Sequence, residues 1–350
     1  MNTAANVRFT STESFQLFAQ GLESLQAYES NPEREKLDGA ETKLQACVSK
    51  YPRDVLPRFY LGVVKTLRGY AGLDEAIREF DYVLKSGVEE LVPDAKFNLA
   101  VAHIERYTAE DFQKASDLLR ETREDIQKRR TSPKYETLRL QATILETFIF
   151  VRQNAWVNRK VTPPSAEIIQ QSEARLRDFN KDYKQASILE TAKPDLLADL
   201  ENTEGLLSES RSWVTKEEIE HKQRAAEAVS HYQGALRQKI GWIPAKSNLA
   251  RVYQEILGEP ETAEKLFREV IEVRPDDAYA HYMLGRNYDS RKDEDRAMQC
   301  YEKALGFPFA NLRLGQYHEK KQDPTTALSY YHKAEKLPEA KEAIARLQSK

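Results

Sequence analysis

The chain has 350 residues, with 53 lysines and arginines against 56 aspartates and glutamates, for a formal charge of −3. That near-balance argues against a dedicated nucleic-acid binder, which carries a basic excess. Apolar residues make up 40% of the chain and recur periodically, which excludes a disordered polymer, and 13 glycines with 14 prolines are too little punctuation for an all-β sandwich or barrel.

The chain order reads as a series of helices. The first runs from Ser14 to Glu29. Ala40, Leu44 and Cys47 then mark one helix face that ends before Pro52. Leu61-Gly62 opens the next unit, and Ala76, Phe80 and Val83 close it. Leu99-Ala100 pairs in the same way with Ala115, Leu119 and Thr122. Pro133 to Asn158 reads as one long helix with Leu138, Ala142, Leu145 and Ile149 on one face. Thr162-Pro163-Pro164-Ser165 breaks the chain. Beyond it, Ile169, Ser172, Leu176, Phe179, Tyr183 and Ala186 make a heptad-like seam. Lys193-Pro194 ends that helix. A shorter helix from Asp195 to about Ser208 follows, then a long one from Lys216 to Gln238 carrying Ala228, Tyr232 and Ala235.

The last third repeats itself. Gly285 is followed by Ala297, Tyr301 and Ala304, and Gly315 by Ala327, Tyr331 and Ala334, at identical offsets. Ala250 precedes Ala263, Phe267 and Val270 with one extra loop residue. The small residues let two helices approach, and the aromatics fill the space between them. Asp323-Pro324 predicts an N-cap followed by proline in the first turn. Glu339 to Gln348 predicts a polar capping helix.

These residues resemble the tetratricopeptide-repeat family, whose unit is a hairpin of two helices with Leu-Gly, Tyr, Ala and Phe marks. The match is densest from Trp242 to Leu337, although tryptophan is missing from its usual slot. The resemblance implies an all-α fold, a right-handed α-solenoid with a divergent long-helix middle. Its expected parts are hairpins over 1–133, lengthened hairpins over 134–241, repeats over 242–338 and a cap over 339–350. In this family the first helix of each hairpin lines an inner groove. Carried over, those positions fall on Arg251, Gln254, Tyr279, Tyr282, Arg286, Asp289, Phe309, Leu312, Gln316 and Lys320, a mixture of aromatic and charged residues suited to an interface. A second, apolar set falls on Leu56, Phe59, Val63, Phe97 and Val101. Asn98, Asn248 and Arg313 lie near positions used by members that clamp acidic chaperone tails, but the accompanying lysines are absent.

Chemistry is not in view. HExxH, GxSxG, Walker A and GxGxxG motifs do not occur. His103, His281 and His318 occupy packing slots of the repeats, and His221 and His231 lie about 15 Å apart along one helix, too far to share a metal. Cys47 and Cys300 read as small core residues outside any CxxC spacing. The basic run Lys128-Arg129-Arg130 reads as a solvated helix end. No enzyme activity, cofactor or metal is expected. The start lacks a secretory pattern, and the apolar stretch Ile144 to Val151 is too short to span a bilayer, so a cytoplasmic location and no membrane partner are expected. The expected role is a scaffold, adaptor or regulatory subunit that binds another protein through a peptide or helix segment, with the arginines pairing to acidic groups. Two other readings compete with it. The helix from Ile169 to Ala186 could drive self-assembly into a homo-oligomer. An RNA-binding helical repeat ranks last, because the groove mixes arginines with Asp289 and Glu255.

Overall fold

The computed structural model describes residues 9–106, 108–157, 164–215, 217–304 and 306–348. Among them are 17 α-helices and no strand. The helices form eight successive hairpins: α1 (Thr12–Ser30) with α2 (Arg34–Lys50), α3 (Val55–Leu67) with α4 (Leu73–Lys85), α5 (Val92–Ile104) with α6 (Ala109–Gln127), α7 (Pro133–Val151) with α8 (Ala166–Gln185), α9 (Lys193–Val214) with α10 (Glu218–Gln238), α11 (Ile243–Val252) with α12 (Pro260–Val273), α13 (Ala278–Ser290) with α14 (Glu294–Lys303), and α15 (Pro308–Lys320) with α16 (Pro324–Lys333). The cap is α17 (Pro338–Gln348). The expected break at Thr162-Pro163, the end at Asn158 and the helix start at Lys216 fall outside the described residues.

Local sequence explains the helix starts. Proline stands in the first turn of α5, α7, α9, α11, α12, α15 and α16, where a missing N–H costs nothing. The Asp323 carboxylate accepts from the Thr326 amide at 3.1 Å, the cap that the sequence predicts.

One contact recurs through the array. A glycine in the first helix faces an aromatic ring in the second. A Cβ on Gly285 would come within 2.6 Å of the Tyr301 ring, on Gly315 within 2.5 Å of Tyr331, and on Gly62 within 2.8 Å of Phe80. The tyrosine hydroxyl then reaches the carboxylate four residues beyond the glycine. Tyr301 donates to Asp289 at 2.6 Å and Tyr331 to Glu319 at 2.9 Å. The same triplet stands in the middle region. Gly205 faces Tyr232, with 2.7 Å left for a Cβ, and the Tyr232 hydroxyl donates to Glu209 at 3.2 Å. The helix α9 therefore runs on to Val214, correcting the expected end near Ser208. The heptad-like seam of α8 is covered within the chain: Leu176 and Phe179 are buried with Leu140, Ile144 and Leu206 of α7 and α9. Leu176 and Phe179 of the seam are thus spent on packing within the chain, while Ile169, Tyr183 and Ala186 are half-buried.

The array curves until its N-terminal part touches its C-terminal part. Tyr70 and Phe307 meet edge-on with ring centroids 5.8 Å apart. Gly306 lies under the Tyr70 ring, where a Cβ would sit 3.0 Å from it. Arg34 reaches Asp276 at 3.4 Å.

Candidate binding interior

The C-terminal residues expected along an open groove divide into three groups. The first consists of charges already paired inside the array. Arg251 has no exposed side-chain surface and is ion-paired with Glu209. Arg286 pairs with Glu255, and Asp289 accepts from both Tyr301 and Arg313. Lys320 also pairs, with Glu294, but at the surface, and it belongs with the third group. Glu209 with Arg251, Glu255 with Arg286, and Asp289 with Arg313 are rungs between successive hairpins, so these arginines are not hooks for acidic groups of a partner. Gln254 accepts from Asn287 at 3.4 Å.

The second group lies in the closure seam. Tyr279, Tyr282 and Phe309 pack around Phe307 at centroid distances of 6.0, 5.2 and 5.4 Å, and Phe307 in turn meets Tyr70. Their aromatic character is explained by this contact. Tyr279 is buried, and Tyr282 and Phe309 are half-buried. The third group keeps access to solvent: Leu312, Gln316 and Lys320 line a surface cleft of about 550 Å³ between α15 and α17.

The apolar N-terminal set also divides. Leu56 and Phe59 are buried in the N-terminal core, so these two are not groove residues, and Val63 packs half-buried against the same core. Phe97 and Val101 face the interior instead. They line a cavity of about 340 Å³ bounded by α1, α3, α5, α7, α9 and α11, the first helices of six hairpins. The sequence could not reveal the rest of this wall, because it is assembled from Tyr28, Gln141, Phe148, Asp199, Trp242 and Arg274, which belong to distant parts of the chain.

The cavity carries charge at two ends. At one, Lys239 pairs with Asp195 at 2.8 Å, while the Asp199 carboxylate has no hydrogen-bond or ion-pair partner among the described residues. Burial pushes the Asp199 carboxyl up to about 7, with Lys239 opposing the shift and Asp195 adding to it. At the other end, burial likewise raises the Glu105 carboxyl, and the charges of Arg274 and Arg152 oppose it. Arg274 lies 3.6 Å from Asp277.

Outside the cavity, His103 bonds to Asp111 at 2.8 Å and His281 to the Pro275 carbonyl at 2.8 Å, so both serve the fold. Cys47 and Cys300 are buried free thiols. Arg123 is paired with Glu146, and within the basic run Lys128 lies 3.6 Å from Asp125 and Arg129 is paired with Glu89. His231 stands within 2.7 Å of Glu201 and 3.4 Å of Glu204, with all three donor atoms within 4.8 Å of one another. These carboxylates stand on the neighbouring helix α9, about 30 residues away in sequence, where the spacing of His231 from His221 gives no sign of them. Their hydrogen bonding to the imidazole accounts for the grouping without an ion.

An all-α solenoid of stacked hairpins, with first helices turned inward, is the class these features define. The tetratricopeptide repeat family model matches residues 257–311, so this stretch carries tetratricopeptide repeats. No curated relative matches. Among solved structures, a tetratricopeptide repeat protein from Parabacteroides merdae is 12% identical, covers 91% of this chain and 100% of its own, and has a TM-score of 0.41. Human IFIT1, solved as a dimer with m7Gppp-AAAA, is 15% identical over 90% of this chain and 78% of its own, with a TM-score of 0.43. MamA is 20% identical over 52% of this chain and 98% of its own, with a TM-score of 0.34. Repeats of this family are in general protein-interaction modules. No helix among the described residues is long and apolar enough to cross a membrane.

Proposed function

We propose that the chain is a non-catalytic scaffold, an adaptor or regulatory subunit, that holds a segment of a partner protein in the interior of the array. One observation carries this reading: six first helices converge on a cavity of about 340 Å³ whose wall mixes aromatic and aliphatic side chains with polar and charged ones. That size and composition suit an anchoring side chain.

Affinity recovery from the native host tests it. Gln141 lines the cavity and is half-buried, so Gln141→Trp fills the interior without adding charge. A partner recovered by the wild-type chain is expected to fall at least tenfold with this variant while helical circular dichroism is unchanged. Recovery of the same proteins at the same yield removes the interior from the binding surface.

A further inference from the structure

The charge at the mouth of the cavity names the chemistry of its occupant. Glu29, Asp195 and Asp199 stand there with the single ammonium of Lys239. Lys239 satisfies Asp195, and Asp199 points to no cation of its own. The opposite end is balanced, because Arg274 and Arg152 stand against Glu105 and Asp277. The residual field is therefore negative, and it lies at the entrance.

An independent feature sits beside those carboxylates. Ile240 is 88% exposed, the most of any large hydrophobic side chain among the described residues, and it lines the same cavity. Trp242, two residues on, forms part of the wall. An exposed aliphatic side chain next to an indole and an unpaired carboxylate matches a long, flexible cation. The stem lies on Ile240, the charge meets the indole face, and the head pairs with the carboxylate. A hard divalent ion is a poorer fit, since calcium seeks six to eight oxygen ligands and magnesium an octahedron of them.

We infer that this cavity binds an alkylammonium or guanidinium group, the lysine or arginine side chain of a partner segment. The inference deepens the scaffold reading and rests on it for the origin of the cation. Asp199 supplies the charge, Trp242 the wall and Ile240 the rim.

The probe is an acetylated, amidated hexa-arginine peptide, titrated calorimetrically into the full chain at pH 8. Asp199→Asn is expected to weaken binding about tenfold, the value of one charge-assisted hydrogen bond. Glu302→Gln with Glu335→Gln removes two exposed carboxylates far from the cavity and is expected to change binding by less than twofold. Equal binding by wild type and Asp199→Asn overturns the inference, while the Gln141→Trp recovery experiment independently judges the scaffold reading. Spermidine is the second probe. If it binds in an Asp199-dependent manner and the peptide does not, the assignment to a partner side chain is overturned.

Discussion

Arg251 and Glu209 are joined in an ion pair in which neither side chain has any exposed surface, although they belong to successive hairpins. Asn248 accepts from Arg251 at 3.0 Å and donates to Asn202 at 2.9 Å, and Tyr232 donates to Glu209 at 3.2 Å. The pair is thus the centre of a buried polar network between α9, α10 and α11. Arg251→Ala removes a buried counter-charge from the Glu209 carboxylate and breaks the network around it. The expected loss is about 3–5 kcal/mol, read from urea unfolding. Arg251→Met with Glu209→Leu should recover most of that loss, because the desolvation of both charges disappears with them.

Two glycine substitutions should act in opposite directions. Gly315→Ala places a methyl 2.5 Å from the Tyr331 ring and should destabilise by about 1–3 kcal/mol through overpacking. Gly39 lies within α2, and a methyl there would meet only Ser24 at an ordinary 3.5 Å. Gly39→Ala should therefore stabilise by up to about 1 kcal/mol through helix propensity. Thermal unfolding of both variants checks the signs.

The contact between Tyr70 and Phe307 holds the two ends of the curve together. A double-mutant cycle with Tyr70→Ala and Phe307→Ala should give a coupling of about 0.5–1.5 kcal/mol. Tyr70→Ala alone should increase the radius of gyration in small-angle scattering, with the helical signal retained.

Asp199 should leave a mark on the pH dependence of stability. Its carboxyl, near 3.8 when free, is raised to about 7 in the fold by burial. Between those values the folded state keeps a proton that the unfolded chain releases, so this group's contribution to stability falls as pH rises through the window and is least favourable above it. Asp199→Asn should flatten that fall. Its melting temperature should exceed that of wild type at pH 8 and converge with it near pH 4. Saturating hexa-arginine should raise the melting temperature of wild type at pH 8 and leave the variant nearly unchanged.

The hairpins were legible because close helix packing demands small residues. Gly285, Ala297 and Ala304 around Tyr288 and Tyr301 can hardly mean anything else. The unit built on Gly205 and Tyr232 was hidden by its longer helices, which stretch the offset from glycine to tyrosine beyond that of the C-terminal copies. The interior was harder still. An arginine after the glycine slot reads equally well as a hook for a partner or as a rung to the previous hairpin, and only the position of Glu209 or Glu255 decides. Tyr279, Tyr282 and Phe309 carry the composition of an interface because they do form one, with Tyr70 of the same chain through Phe307. Asp199, Ile240 and Trp242 have no shared motif, since what unites them is the curvature of the whole array.

A linear stack of hairpins touches only nearest neighbours, so its terminal units fray and its middle can melt alone. The seam at Tyr70 and Phe307 changes that behaviour. Opening either end forfeits contacts made with the other, which ties distant hairpins into one cooperative transition. The same seam forms only after a large loop has closed, so its assembly should come late and slowly in folding.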